Sequence, residues 1–351
     1  MTTVEAPQSS RSVLVTVADV VAETADACSL VFEIPEDVED RFAYRPGQFL
    51  TLRIPSERTG SVARCYSLAS SPHTDDAPKV TVKRTADGYG SNWVCDNVSV
   101  GDRLEVLPPS GLFTPPDLAE NLLLFAAGSG ITPVMSILKS ALDQGSAHVV
   151  LVYANRDEKS VIFAEELRRL AAAEPERLTV IHLLESVQGL PTARTLAGLA
   201  RPFASHRAFL CGPGPFMAAV HEGLAAAGLP KDRVHAEVFT SLSGDPFADV
   251  EPIELSAEEE AGAATAFVEL DGENHELTWP RSQTLVDIML ARGLEVPYSC
   301  REGECGSCAC TVTFGEVEMD NTGMLDADDI AAGYILGCQA RPVTDAVKIE
   351  F

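Results

Sequence analysis

Nowhere does the sequence hold a run of about 18 apolar residues, the length that a membrane-spanning helix needs, so no span is expected. Its first stretch, MTTVEAPQSSRSVLV, lacks a basic segment and an apolar segment ending in a cleavage site. No secretory leader is expected, and the chain reads as cytoplasmic. Basic side chains are scarce: 26 Lys and Arg stand against 52 Asp and Glu, for a formal net charge of −26. A surface of that sign repels nucleic acid and anionic lipid, and it would steer the protein toward a basic patch on a partner. Acidity also serves solubility, so charge alone names no partner. The nine cysteines are odd in number, which together with a reducing compartment argues against a disulfide framework.

What is present divides into segments. A chain of 351 residues has room for two or three domains, and 46% apolar content gives each of them a core. Residues 10–116 carry short strand-like runs, LVFEI, FLTLRI and VTVKR, broken by Gly, Pro, Ser and Asp. That spacing predicts an antiparallel β-barrel or sandwich. Over 117–240 the pattern changes to alternating strand and helix, from LLLFAAGSGITP through HVVLVYANR and LTVIHLLE to AFLCGPG and FMAAVHEGLAAAG. Alternation of that kind predicts a parallel α/β sheet with right-handed crossovers. Residues 241–262 are acidic and punctuated by Gly and Pro, which reads as a linker. In 263–351, FVELDGENHELTW predicts a hairpin turning at Asp271-Gly272, TLVDIMLARG a short helix, and VKIEF a closing strand.

The strongest chemical signal is CREGECGSC, followed much later by LGCQARP. Cys300, Cys305 and Cys308 form C-x4-C-x2-C with Cys338 as a distant fourth, the plant-type spacing for a [2Fe–2S] cluster. Two irons require four thiolates, and a wrapping loop can supply three of them. Gly303 and Gly306 let that loop turn tightly, and neighbouring amides can point at sulfur. A zinc site would show a second C-x2-C pair or His partners, which Cys338 lacks. Cys310 falls outside the spacing and reads as a small core residue. Cys28, Cys65, Cys95 and Cys211 are scattered.

RCYSLASSP resembles the R-x-Y-S motif of the ferredoxin–NADP reductase-like flavoproteins. The resemblance implies FAD, with Arg64 on its pyrophosphate, Tyr66 packed on its ring, Ser67 near the reacting nitrogen, and Cys65 and the Leu68 backbone alongside. FAD is favoured over FMN by the order of the segments. VKRTADGYGSNWV resembles the same family's phosphate loop: Val82 and Lys83 lie on a strand that lines the flavin. Gly90, Ser91 and Asn92 lie where a helix begins and offers unpaired amides to an anion.

GSGITP opens a helix after a buried strand, and CGPGPFM supplies a second glycine turn. GSG alone is less than a full dinucleotide fingerprint; the pair matches the nucleotide domain of the same family. That match places Gly128, Gly130, Thr132, Gly212 and Pro213 on the coenzyme and Cys211 beside the hydride path. Phe239 falls at the position of an aromatic that covers the flavin. Arg156 or Lys159 could meet a 2′-phosphate, with Asp157 and Glu158 opposing it. NADPH therefore stays possible, while the resemblance favours NADH.

The order of flavin, nucleotide and C-terminal plant-type ferredoxin segments resembles the reductase components of bacterial multicomponent oxygenases. That likeness implies an α+β, β-grasp-like ferredoxin domain. More narrowly, SVARCYSLASSP, VTVKRTADGYGSNW, YANRDEKSVIF and CGPGPFM resemble the 3-ketosteroid 9α-hydroxylase reductases of steroid-degrading actinobacteria. The resemblance implies electron delivery from NADH through FAD and a [2Fe–2S] cluster to a Rieske-type terminal oxygenase in steroid or cholesterol degradation. A di-iron or CoA-ester oxygenase as acceptor, or a redox sensor without turnover, fits the same residues.

Overall fold

The computed structural model describes residues 11–242, 244–248, 259, 262–270, 272–294, 296–325 and 327–351. Residues 13–109 and 113–239 form one compact unit; residues 240–351, with 110–112, form another.

The first unit begins with six antiparallel strands: β1 Val13–Thr24, β2 Ala27–Glu33, β3 Phe49–Ser56, β4 Gly60–Ser67, β5 Lys79–Lys83 and β6 Arg103–Ser110. They lie in the order β4-β3-β6-β1-β2-β5. A single bridge, Leu68 to Val80, joins the two edges and closes the sheet on itself. Alternation along these strands sends Val15, Val17, Leu30, Phe32, Leu50, Leu52, Val80 and Val82 inward to one core. Helix α1, Tyr89–Asn97, follows β5 and packs Val94 against that core.

Five parallel strands make the second sheet, in the order β11-β10-β7-β8-β9. They are β7 Leu122–Ala127, β8 Val149–Asn155, β9 Leu178–Leu184, β10 Arg207–Cys211 and β11 Val234–Glu237. Strands β7 and β8 are buried throughout their length, as expected where helices cover both faces. Helices α2 Ile131–Gln144, α3 Ala164–Ala173, α4 Glu185–Gln188, α5 Ala193–Ala200 and α6 Gly214–Ala227 supply the connections. The order reverses between β7 and β10, so the turns that leave these two strands flank the crevice where α/β sheets bind ligands. Strand β11 has no counterpart in the sequence reading. Its four residues, VHAE, show no buried alternation, and pairing with β10 alone makes them a strand.

In the other unit, strands β12 Ala264–Leu270, β13 Glu273–Trp279, β14 Ala309–Phe314, β16 Tyr334–Leu336 and β18 Ala346–Glu350 lie in the order β13-β12-β18-β14-β16. Strands β15 Val317–Met319 and β17 Ala340–Pro342 form a separate pair. The β12–β18 pairing is parallel and the β12–β13 hairpin antiparallel, a mixed sheet against which the helix Leu285–Ala291 packs Leu285, Val286, Ile288 and Met289. Trp279 lies at the bottom of this core, its indole N–H donating to the Gln283 carbonyl at 2.9 Å. Cys310 is buried in the same core.

Two parts of the sequence reading touch residues outside those described: Asp271 of the hairpin turn, and residues 243, 249–258, 260 and 261 of the acidic stretch. Within that stretch Leu242 and Phe247 are buried, so its first part is anchored by apolar side chains that composition alone had not singled out.

Candidate active site and cluster loop

Strand β4 presents the R-x-Y-S residues in alternation. Arg64 lies against the start of α1, where a β-carbon added to Gly90 would come within 2.9 Å of its Cγ. Tyr66 packs partly into the barrel core, and burial pushes its hydroxyl above the usual range. Cys65 stands directly opposite Thr51 on β3, with its sulfur 3.4 Å from the Thr51 hydroxyl, and strand alternation turns it away from Arg64 and Tyr66.

Helix α1 starts one turn earlier than Asn92, at Tyr89, and its N-cap Gly88 offers no side chain. Its first amides therefore have no acceptor within the helix. Ser91 and Asn92 brace the loop itself: the Ser91 hydroxyl accepts from the Thr85 amide at 3.1 Å, and the Asn92 amide donates to the Gly88 and Thr85 carbonyls at 2.6 and 3.0 Å. Uncapped amides beside a guanidinium make a cradle that fits a flavin diphosphate.

At the switch point of the parallel sheet the two glycine turns touch. A β-carbon on Gly130 would lie 2.1 Å from the Cys211 carbonyl oxygen, and one on Gly212 would lie 2.9 Å from Phe216 and 3.0 Å from Ala127. Gly128 adopts φ +54°, and its carbonyl accepts from the Tyr153 hydroxyl at 3.1 Å. Helices α2 and α6 follow these turns directly, with Gly130 and Pro213 as N-caps that supply no side-chain cap. Thr132 is buried and donates to the Ser129 carbonyl at 3.0 Å, so its hydroxyl braces the turn.

Ser67 is buried at the end of β4, and its hydroxyl donates to Glu237 Oε2 at 3.4 Å. Glu237 pairs in register with Cys211 across β10 and β11. Three residues far apart in sequence thus meet. Part of Glu237 reaches solvent, yet the protein around its carboxyl pushes it up to about 8, with the Ser67 hydrogen bond pulling the other way. Burial, reinforced by Glu237, holds the Cys211 thiol well above its usual range, so it stays protonated. Phe239, two residues beyond, is exposed. Glu237 was absent from the sequence reading; the signal was AEVF, where only Phe239 drew notice.

Val82 is wholly buried in the barrel core. Lys83 leaves the same strand toward the nucleotide half: its Nζ lies 3.9 Å from Asp26 and 3.6 Å from the β-carbon position of Gly128. Burial lowers Lys83 from its ordinary value, with Asp26 opposing. Asp157 is committed to capping the turn Glu158–Ser160, where its carboxylate accepts from the Ser160 amide at 3.0 Å.

The cluster loop brings Cys300, Cys305, Cys308 and Cys338 together. Backbone amides point at their sulfurs: Glu302 and Glu304 donate to Cys300 at 3.3 and 3.4 Å, Cys300 to Cys305 at 3.4 Å, and Cys338 to Cys308 at 3.4 Å. The Gln339 side chain adds a donor at 3.5 Å from Cys338. Arg301, Gly303 and Gly306 all take positive φ, which winds the loop around one point. Arg301 is not glycine, and its ion pair with Asp287 on the neighbouring helix holds it there. Four thiols ringed by N–H donors suit an anionic iron–sulfur group, since each donor stabilises thiolate charge.

Comparison with known proteins finds three domain families along the chain. The chain matches the oxidoreductase FAD-binding domain family over residues 14–114, the oxidoreductase NAD-binding domain family over 124–222, and the 2Fe-2S iron-sulfur cluster binding domain family over 268–343. It is 72% identical over 351 residues, the whole of both chains, to the 3-ketosteroid-9-alpha-monooxygenase ferredoxin reductase component of Rhodococcus rhodochrous. The chain belongs to this reductase family. A relative of the same name in Mycolicibacterium smegmatis is 59% identical over 98% of each chain. Phthalate dioxygenase reductase, at 23% identity and TM-score 0.56 over 97% of this chain and 98% of its own, shares the fold. FAD-binding, NAD-binding and [2Fe–2S] domains are therefore present, and the protein is an oxidoreductase.

Proposed function

We propose that this protein takes hydride from NADH and delivers single electrons to a Rieske-type terminal oxygenase that hydroxylates 3-ketosteroids. The observation that carries the reading is full-length, 72% identity to the R. rhodochrous reductase component, over a chain that supplies a site for each cofactor. The domains run over residues 10–116, 117–240 and 263–351. Bound FAD would supply the step from a hydride, with its two electrons, to single electrons, and a bound cluster would supply one-electron transfer.

The chain's residues position and tune. Arg64 and the amides of Gly90 and Ser91 hold the flavin diphosphate; Tyr66 packs along the ring. The turns at Gly128–Gly130 and Gly212–Pro213 admit the coenzyme backbone closely, and Cys211 fills the floor between them as a neutral thiol. Ser67 offers its hydroxyl at the reacting edge, and the protonated Glu237 behind it keeps negative charge away from the atom that receives hydride. Cys300, Cys305, Cys308 and Cys338 hold the irons.

The test is reconstitution. The protein, NADH, oxygen, a purified 3-ketosteroid 9α-hydroxylase oxygenase and 4-androstene-3,17-dione should yield the 9α-hydroxylated steroid. Rapid NADH oxidation by an artificial acceptor without product would redirect the search to another oxygenase. Absence of NADH oxidation would sink the reductase reading itself.

A further inference from the structure

Among the ion pairs that join the flavin half to the nucleotide half, one is centred on Asp26. Asp26 lies in the turn between β1 and β2. Its carboxylate accepts from the Thr24 hydroxyl at 2.8 Å and pairs with Arg156 Nη2 at 2.7 Å and Lys83 Nζ at 3.9 Å. Arg156 immediately follows β8, and its side chain is 65% exposed, so nothing about packing requires this pairing. In sheets of this type the residues just past the second strand meet the adenosine ribose: a carboxylate accepts its hydroxyls, or an arginine takes a 2′-phosphate.

Resting on the coenzyme reading above, we infer that Asp26, a residue of the flavin half, sets the choice between NADH and NADPH. By holding the guanidinium of Arg156, it withdraws that cation from a 2′-phosphate and adds a negative charge where the dianion would come. NADH, with hydroxyls alone, bears neither cost. Lys83 keeps its place between the Asp26 carboxylate and the Gly128 turn, at 3.9 and 3.6 Å. Asp26 thus acts as a positioning residue, through Arg156.

The test compares wild type, Asp26→Asn and the double variant Asp26→Asn/Arg156→Ala, as full chains with flavin content matched. NADH and NADPH oxidation are followed with ferricyanide, and NADP+ affinity by calorimetry. In Asp26→Asn the NADPH/NADH ratio of kcat/KM should rise about tenfold, through a lower KM for NADPH, and NADP+ should bind correspondingly tighter. The double variant should lose that gain. A ratio unchanged in Asp26→Asn, or a gain that survives removal of Arg156, overturns the inference. Loss of wild-type NADH oxidation would instead defeat the reductase reading, so the two failures are distinct.

Discussion

The cluster loop and the hydride site solve the same problem of positioning redox chemistry in opposite ways. Of the four proposed cluster ligands, three come from nine consecutive residues, Cys300 to Cys308, and the donors to sulfur are largely the loop's own amides. The proposed hydride site gathers Ser67, Cys211 and Glu237, which meet only because a barrel strand and two parallel strands end at one point. Local construction makes the first robust to changes elsewhere, whereas distributed construction makes the second sensitive to any change in how the glycine turns meet.

The largest expected effect comes from cutting the cluster. Cys305→Ser removes one proposed iron ligand, so cytochrome c reduction should fall by about a hundredfold or more, while NADH–ferricyanide turnover stays within about twofold. If both rates fell together, the cluster loop would be supporting the flavin half, and the independence of the two sites would be lost.

Next is Gly130→Ala. Its β-carbon would collide with the Cys211 backbone, which cannot swing aside as a side-chain tip could. Overpacking of this kind costs about 1–3 kcal/mol, and prising the two turns apart should raise KM for NADH by about tenfold. Iron–sulfur absorbance should be unchanged. An unaltered KM with normal stability would mean that the turns need not touch.

Glu237→Gln sharpens the comparison through pH. A carboxyl lifted from about 4.5 to about 8 on folding binds more protons in the native than in the unfolded protein across that window. Its contribution to stability is therefore lost as pH rises from about 4.5 through 8, and above 8 the native state carries the charge as a burden. Hydride transfer in the wild type should also slow as pH rises through about 8, because a carboxylate there opposes the incoming negative charge. Glu237→Gln should flatten both profiles while leaving the cluster spectrum untouched. Stopped-flow flavin reduction and melting curves between pH 6 and 9 measure the two effects. A profile that remains bent in the variant assigns the titration elsewhere.

How much was legible in the sequence follows from the same contrast. Cysteine spacing is local and chemically specific, so the cluster loop could be read directly, and Cys310 set aside, without any structure. Parallel strands with glycine turns were legible because their apolar runs are continuous. Glu237 and Asp26 were not, because each acts on a residue about 130 to 170 positions away and is, taken alone, an ordinary surface-type acid. Strand β11 escaped for a related reason: half-exposed edge strands lack the alternation that announces a strand. The side chains of Asn92 and Thr132 donate to backbone carbonyls of their own loops, a bracing role that the motifs did not announce.

The smallest effect tests whether the cluster loop is as self-sufficient as its spacing implies. Gln339 is the side chain that extends the ring of amide donors, reaching Cys338 while also donating to the Arg301 carbonyl at 3.2 Å. Gln339→Leu keeps the volume and removes the donor. A hydrogen bond to sulfur favours the reduced, more negative cluster, so its loss should lower the potential by about 20–60 mV, on the scale of one net hydrogen bond. A redox titration followed by electron paramagnetic resonance reads that shift directly. No shift, with a broadened signal, would make Gln339 a brace for Arg301 alone and leave tuning wholly to the backbone. A shift without broadening would show that even the most local site in this protein borrows a side chain to set its potential.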